Sequence, residues 1–156
     1  MQIHLIAVGT RMPAWVTSGY EEYVRRMPHE CGIRLVEIPL SKRGKNRSAL
    51  QNRREEGRAM LAAIPAQATV VALDVRGKAW GTETLADRLQ DWLQGGRDVA
   101  LLVGGPDGLD DACLARADQH WSLSALTLPH ALVRVLLAEQ LYRAWTVLQG
   151  HPYHRA

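Results

Sequence analysis

Val99-Ala100-Leu101-Leu102-Val103, five apolar residues in a row, runs straight into Gly104-Gly105-Pro106-Asp107-Gly108. A strand without polar alternation belongs in a parallel sheet covered on both faces, not in a half-wetted antiparallel one. The glycine-rich stretch then stops the strand and lets backbone come close to whatever lies beyond it. Ile3 to Val8, ended by Gly9, and Ala68 to Leu73 repeat the apolar pattern on the N-terminal side, and Ile33 to Ile38, stopped by Pro39, reads as a further strand.

Helical spacing fills the intervals. Trp15 to Arg26 places Val16, Tyr20, Tyr23 and Val24 on one side, and Ser48 to Ala63 has Leu50, Met60 and Leu61 as its apolar contacts. Thr82 is expected to cap a helix running through Leu93, with Leu85, Leu89, Trp92 and Leu93 on one face, before Gly95-Gly96. Asp74 to Lys78 reads as a loop, Leu109 to Ala117 as a short helix, and Trp121 to Leu126 as a last extended segment. Pro129 opens a long helix from His130 to Leu148, in which Glu139 and Arg143 form a favourable i,i+4 pair. Strands alternating with helices predict an α/β fold on a parallel sheet. No linker of Pro, Gly and Ser divides residues 1–156, so one domain is expected.

The totals agree. Hydrophobic residues make up 47% of the chain, enough for an ordinary core, and no repeat or low-complexity tract suggests another architecture. The net charge of +3 permits an anionic partner without requiring one. Cys31 and Cys113 match no zinc pattern and read as buried thiols in a reducing compartment. The N-terminus has neither a basic region nor a long apolar stretch, and no apolar run would span a bilayer, so a cytoplasmic protein without a membrane partner is expected.

In an open parallel sheet, ligands bind beyond the carboxyl ends of the strands. The ends in question are Leu73-Asp74, Gly104 to Gly108, and the stretch Leu123-Ser124-Ala125-Leu126-Thr127-Leu128. Gly104 to Gly108 is either a ligand loop or simply a tight strand-to-helix turn. It is no Rossmann fingerprint, which needs GxGxxG after the first strand, and no P-loop, since no GK[ST] follows. Leu123 to Leu128 could fold over an adenine or enter the next helix as an edge strand. His130 could cap that helix or belong to a polar cluster near a bound cofactor. Lys42-Arg43-Gly44-Lys45-Asn46-Arg47 is a solvated charge run or a phosphate contact. The tail, His151-Pro152-Tyr153-His154-Arg155, is dense in groups that titrate, stack or pair with phosphate, though a frayed terminus is the plain alternative. His151 and His154 have no further ligand cluster beside them, so no metal site is expected.

Taken together, Ala7-Val8-Gly9-Thr10 with Met12-Pro13, Lys42 to Asn46, Leu73-Asp74, Gly104 to Leu109, Trp121 to His130, Arg143-Ala144-Trp145 and the closing His151 to Arg155 form a specific set. On these residues the chain resembles, nearly end to end, the small bacterial SPOUT-class methyltransferases that modify N3 of a pseudouridine in large-subunit ribosomal RNA. The resemblance implies a C-terminal trefoil knot, a device otherwise nearly absent from proteins. It implies S-adenosylmethionine as methyl donor, held in the knot against Leu73, Gly104, Leu123, Ser124, Ala125, Leu126, Thr127 and Leu128. It implies a homodimer with the donor site beside the subunit interface, and recognition of RNA supplied by the dimer surface and the assembled ribosome.

The chemistry so implied is an in-line displacement plus removal of the N3 proton, with no metal required. His130 and His154 are the candidate bases, and Tyr153 and Arg155 would hold the nucleotide, Tyr153 by stacking. Arg134 and Arg143 are further candidates, although helix arginines more often form structural pairs. Two other classes compete. An RNA-binding module without catalysis would bind RNA regardless of the donor. A hydrolase of small nucleotides would need a DxD cluster, a GxSxG elbow or a Cys–His pair, and the sequence has none of these.

Overall fold

The computed structural model describes residues 1–42 and 44–155. Five parallel strands form one sheet in the order β2-β1-β4-β3-β5. They are β1 (Ile3–Val8), β2 (Ile33–Ile38), β3 (Thr69–Ala79), β4 (Val99–Val103) and β5 (Gln119–Ser122). The helices between and after them are α1 (Ala14–Val24), α2 (Ala49–Ala63), α3 (Thr82–Gly95), α4 (Asp111–Arg116) and α5 (His130–Leu148).

The order explains the composition. β1 and β4 have neighbours on both sides, and every residue of both is buried. Their side chains divide between two cores. Ile3, Leu5, Ala7, Leu101 and Val103 pack with Tyr20 of α1, Leu85 and Leu89 of α3, and Leu137 and Leu141 of α5. Ile6, Val8, Ala100 and Leu102 pack with Met60 of α2 and Cys113 of α4. The sheet is thus covered by α1, α3 and α5 on one face and by α2 and α4 on the other. β2, at an edge, carries exposed Arg34 and Glu37 between buried ends.

Four local expectations change. Gly81, not Thr82, occupies the position before α3, and Thr82 is its first helical residue without a capping bond. The helix of the Leu109 region is confined to Asp111–Arg116. The expected loop after Leu73 is an interruption inside β3: Leu73 and Lys78 both align with Trp121, so residues 74–77 bulge out and the strand then resumes. Asp74 turns the bulge by accepting the Arg76 N–H at 3.1 Å, and Gly77 closes it, where a Cβ would lie 2.7 Å from the His120 carbonyl. The extended segment ends at Ser122 rather than Leu126. Ser122 Oγ donates to the Ser124 carbonyl at 3.1 Å, and Ser124 Oγ accepts the Leu126 N–H at 2.9 Å. Such local bonds draw a chain out of a ladder.

Candidate active site

The bulge inside β3, the carboxyl end of β4, the segment after β5 and the first turn of α5 line a cavity of about 710 Å³. That lies within the range of about 300–1,000 Å³ typical of small-ligand sites. Leu73, Gly104, Leu123, Ser124, Leu126, Thr127 and Leu128 all line it, as does His130. Ala125 belongs to the same segment and is exposed, but is not among the lining residues.

The glycine loop is shaped by its own backbone. Gly108 has φ +82° and donates its N–H to the Gly105 carbonyl at 3.0 Å. A Cβ on Gly104 would stand 2.6 Å from the Gly108 carbonyl carbon, so a side chain there would force the loop open.

Charged groups line the cavity as well. Asp74, Asp107, Asp111, Arg53, Arg76 and His130 are among its lining residues, and Arg76 pairs with Asp74 at 3.1 Å. Burial pushes the Asp74 carboxyl up, but the Arg76 N–H and guanidinium outweigh it and hold it below the usual carboxylate range. Arg53 comes from α2, a region in which the sequence suggested no chemistry; nothing in a charged helical face marks the one cation that reaches inward. The bulge residues Val75 and Arg76 were equally hidden, since they read as an ordinary loop, whereas Asp74 was singled out with Leu73 as a strand end.

The tail is elsewhere. Residues Pro152–His154 form a 3-10 turn packed against α5. Tyr153 donates its hydroxyl to Glu139 Oε1 at 3.0 Å and its N–H to His151 Nδ1 at 3.1 Å. Its ring meets Tyr142 edge-on at 4.7 Å, with the Arg143 guanidinium 5.0 Å from its centroid. Arg143 in turn donates to Glu139 at 2.7 Å. Burial first, then contacts with Tyr23 and Glu139, raises the Tyr153 hydroxyl pKa. His154 is half-buried, and its Nδ1 has no partner among the described residues. Arg155 is exposed. The 19 residues of α5 put its two ends about 28 Å apart, at ~1.5 Å per residue. One chain therefore brings His130 to the cavity and seats Tyr153 nine to thirteen residues further along the same helix, on Glu139, Tyr142 and Arg143, about 14–20 Å away along its axis at ~1.5 Å per residue.

In the basic loop, Lys42 and Lys45 are exposed, Arg47 pairs with Glu55, and Arg43 lies outside the described residues. Among the described residues no group of three or more His, Cys, Asp or Glu could hold a metal ion. No helix among them is long and apolar enough to cross a membrane.

A parallel sheet with a glycine loop beside a ligand-sized cavity and a long closing helix places the chain among α/β proteins. The family described as predicted SPOUT methyltransferase matches residues 1–154. Relatives named ribosomal RNA large subunit methyltransferase H include one from Alkalilimnicola ehrlichii, 62% identical with all of both chains covered. A second, from Thioalkalivibrio sulfidiphilus, is 61% identical with 99% of each chain covered. A solved structure of a probable methylase family protein from Haemophilus influenzae shares the fold, with a TM-score of 0.54 at 15% identity, covering 97% of this chain and 69% of the other. The chain belongs to the SPOUT methyltransferase family and is an enzyme of that class. Membership implies the C-terminal trefoil knot and S-adenosylmethionine as methyl donor, as the sequence suggested.

Proposed function

We propose that this enzyme methylates N3 of a pseudouridine in large-subunit ribosomal RNA, acting as a cytoplasmic homodimer on assembled ribosomes. The observation that carries the reading is the convergence of Leu73, Gly104 and the Leu123–Leu128 segment on one cavity in a chain about 60% identical to named ribosomal RNA methyltransferases.

The walls suit the donor. Leu73, Leu123 and Leu128 offer an apolar slot for a purine, the backbone around Gly104 and Gly105 offers polar groups without side-chain bulk, and the aspartates suit a cationic chain. Bound there, S-adenosylmethionine supplies an electrophilic methyl group on sulfonium. The chain's own residues must then align the acceptor nitrogen and take its proton. His130 stands at the cavity wall and is one candidate for that proton. His154 is the other, with Arg155 available for the phosphate or the developing charge of the base.

A homodimer resolves the separation between tail and cavity. α5 carries apolar residues beyond its buried face, and Leu132, Val135, Leu136, Trp145, Val147 and Leu148 are only half-buried. Trp15 on neighbouring α1 is 61% exposed. Half-buried and exposed apolar side chains on neighbouring helices gain from further cover. A two-fold pairing across α1 and α5 would supply it, and would carry the tail of each subunit toward the cavity of the other.

The test is transfer of a labelled methyl group from S-adenosylmethionine to intact ribosomes and, separately, to protein-free ribosomal RNA. Label in large-subunit RNA, from ribosomes alone and at a pseudouridine, is the expected result. Donor binding without label in either acceptor would overturn the substrate assignment.

A further inference from the structure

His130 and Val133 face the donor cavity, whereas Arg134 lines a second cavity, of about 400 Å³, with Arg11, Met12, Tyr20 and Glu37 among its walls. Arg134 is only 2% exposed. Its guanidinium forks: Nη1 donates to Glu37 Oε2 at 2.7 Å and Nη2 to the Gly9 carbonyl at 2.7 Å. Gly9 has φ +116° and donates its own N–H to the Ile38 carbonyl at 2.7 Å. One side chain thus ties the start of α5 to the ends of β1 and β2.

The tied loop is an unusual one. Arg11 sits at φ +56°, a left-handed conformation uncommon for any residue but glycine. A Cβ on Gly9 would lie 3.6 Å from Arg134 Nη2 and 3.9 Å from His130 Cδ2, so loop, fork and imidazole are immediate neighbours.

Stability alone is a poor reason for the fork. A buried ion pair replaced by apolar groups of similar volume is often neutral or stabilising. Here the arrangement also leaves Arg134 Nε and the Tyr20 hydroxyl without partners among the described residues. What the fork gives that a methionine could not is direction, because two charge-assisted bonds in a rigid plane fix both position and rotation.

We infer that Arg134 and Glu37 are positioning residues for methyl transfer: their fork fixes the first turns of α5 so that His130 stands correctly at the acceptor side of the donor cavity. The inference rests on the proposed reading of that cavity and of His130.

The test is the double variant Arg134→Met, Glu37→Gln, which removes both charges together and leaves neither buried alone. The expected result is an unchanged Kd for S-adenosylmethionine by calorimetry and a thermal midpoint within about 4 °C of the parent. Turnover on ribosomes should fall roughly tenfold to a hundredfold, the scale of a small misplacement of a reacting group. Should the double variant not fold, Arg134→Lys keeps the charge but cannot span both partners, and the same split between turnover and donor binding is expected. Parent-like turnover in either folded variant overturns the inference, as does a loss of donor binding in step with turnover. His130→Ala runs in parallel. If it turns over normally, the underlying reading of His130 fails; if it is inactive while the fork variants are normal, only the fork fails.

Discussion

Tyr153 reads in the sequence as a platform for a base. In the fold its hydroxyl is bonded to Glu139, the Arg143 guanidinium lies over its ring, and Tyr142 meets it edge-on. Those contacts make it an anchor that presents His154 and Arg155. The two roles separate by mutation. Tyr153→Phe keeps the ring packing and loses one bond to a carboxylate, so stability should drop by about 1–2 kcal/mol in urea unfolding, with donor affinity unchanged and turnover reduced. His154→Ala should abolish turnover while sparing both stability and donor binding; normal turnover would remove His154 from the chemistry. The cysteines make a separate case. Cys31 and Cys113 are fully buried, and burial pushes each thiol from its ordinary 9.0 up to about 11, helped by Glu30 and Asp110 respectively. Between those values the unfolded chain loses thiol protons that the folded chain keeps. The raised thiols therefore contribute stability that is complete below about pH 9 and drains away as pH rises toward 11. The urea midpoint should fall between pH 8.5 and 10.5, and a Cys31→Ala, Cys113→Ala chain should show a shallower fall.

Elements were legible where local pattern and final burial coincide. β1, β2, β4 and α5 have the bounds that Ile3–Val8, Ile33–Ile38, Val99–Val103 and His130–Leu148 suggested, because glycine or proline stops three of them and Pro129 opens the fourth. β3 was legible only to Leu73. Its continuation at Lys78–Ala79 is held by backbone pairing to Trp121 and Ser122, distant in sequence, and no alternation of side chains announces it. The segment after β5 was legible only in part: Ser124 and Thr127 punctuate its apolar run in the sequence, but the turn is made by Ser122 together with Ser124, and an edge strand read equally well. α2 offers a test of a local signal. Ser48 Oγ accepts the Gln51 N–H at 3.1 Å, and Gln51 Oε1 accepts the Ser48 N–H at 2.9 Å, a reciprocal cap. Ser48→Ala should cost about 1 kcal/mol in chemical unfolding. Arg53 reaches the cavity proposed for the donor from the second turn of this helix, past the frayed end, so the Kd for S-adenosylmethionine should not change.

Across the whole molecule, what no local pattern carries is which ends meet. The order β2-β1-β4-β3-β5 places the sequence-distant Leu73, Gly104 and Leu123 around one cavity, and the rule that ligands bind beyond parallel strand ends was enough to find them. No such rule places the tail, because its seat depends on Glu139, Tyr142 and Arg143 in three dimensions. That seat lies midway along α5, nine or more residues from His130, and the proposed dimer makes a sharp demand of it. If each tail serves the partner's cavity, a subunit with an intact cavity and a dead tail can be completed by one with a blocked cavity and a live tail. His154→Ala supplies the first. Gly104→Val supplies the second, since any Cβ at that position already collides with the Gly108 backbone. Each variant alone should be inactive. Unfolded together in equal amounts and refolded, they should pair at random, and about a quarter of the parental methyl transfer should return, because half the dimers then hold one complete site. No return of activity, with mixed dimers verified by mass, would mean that each tail must reach its own cavity, and the docking of Tyr153 on Glu139 would then have to break during the reaction.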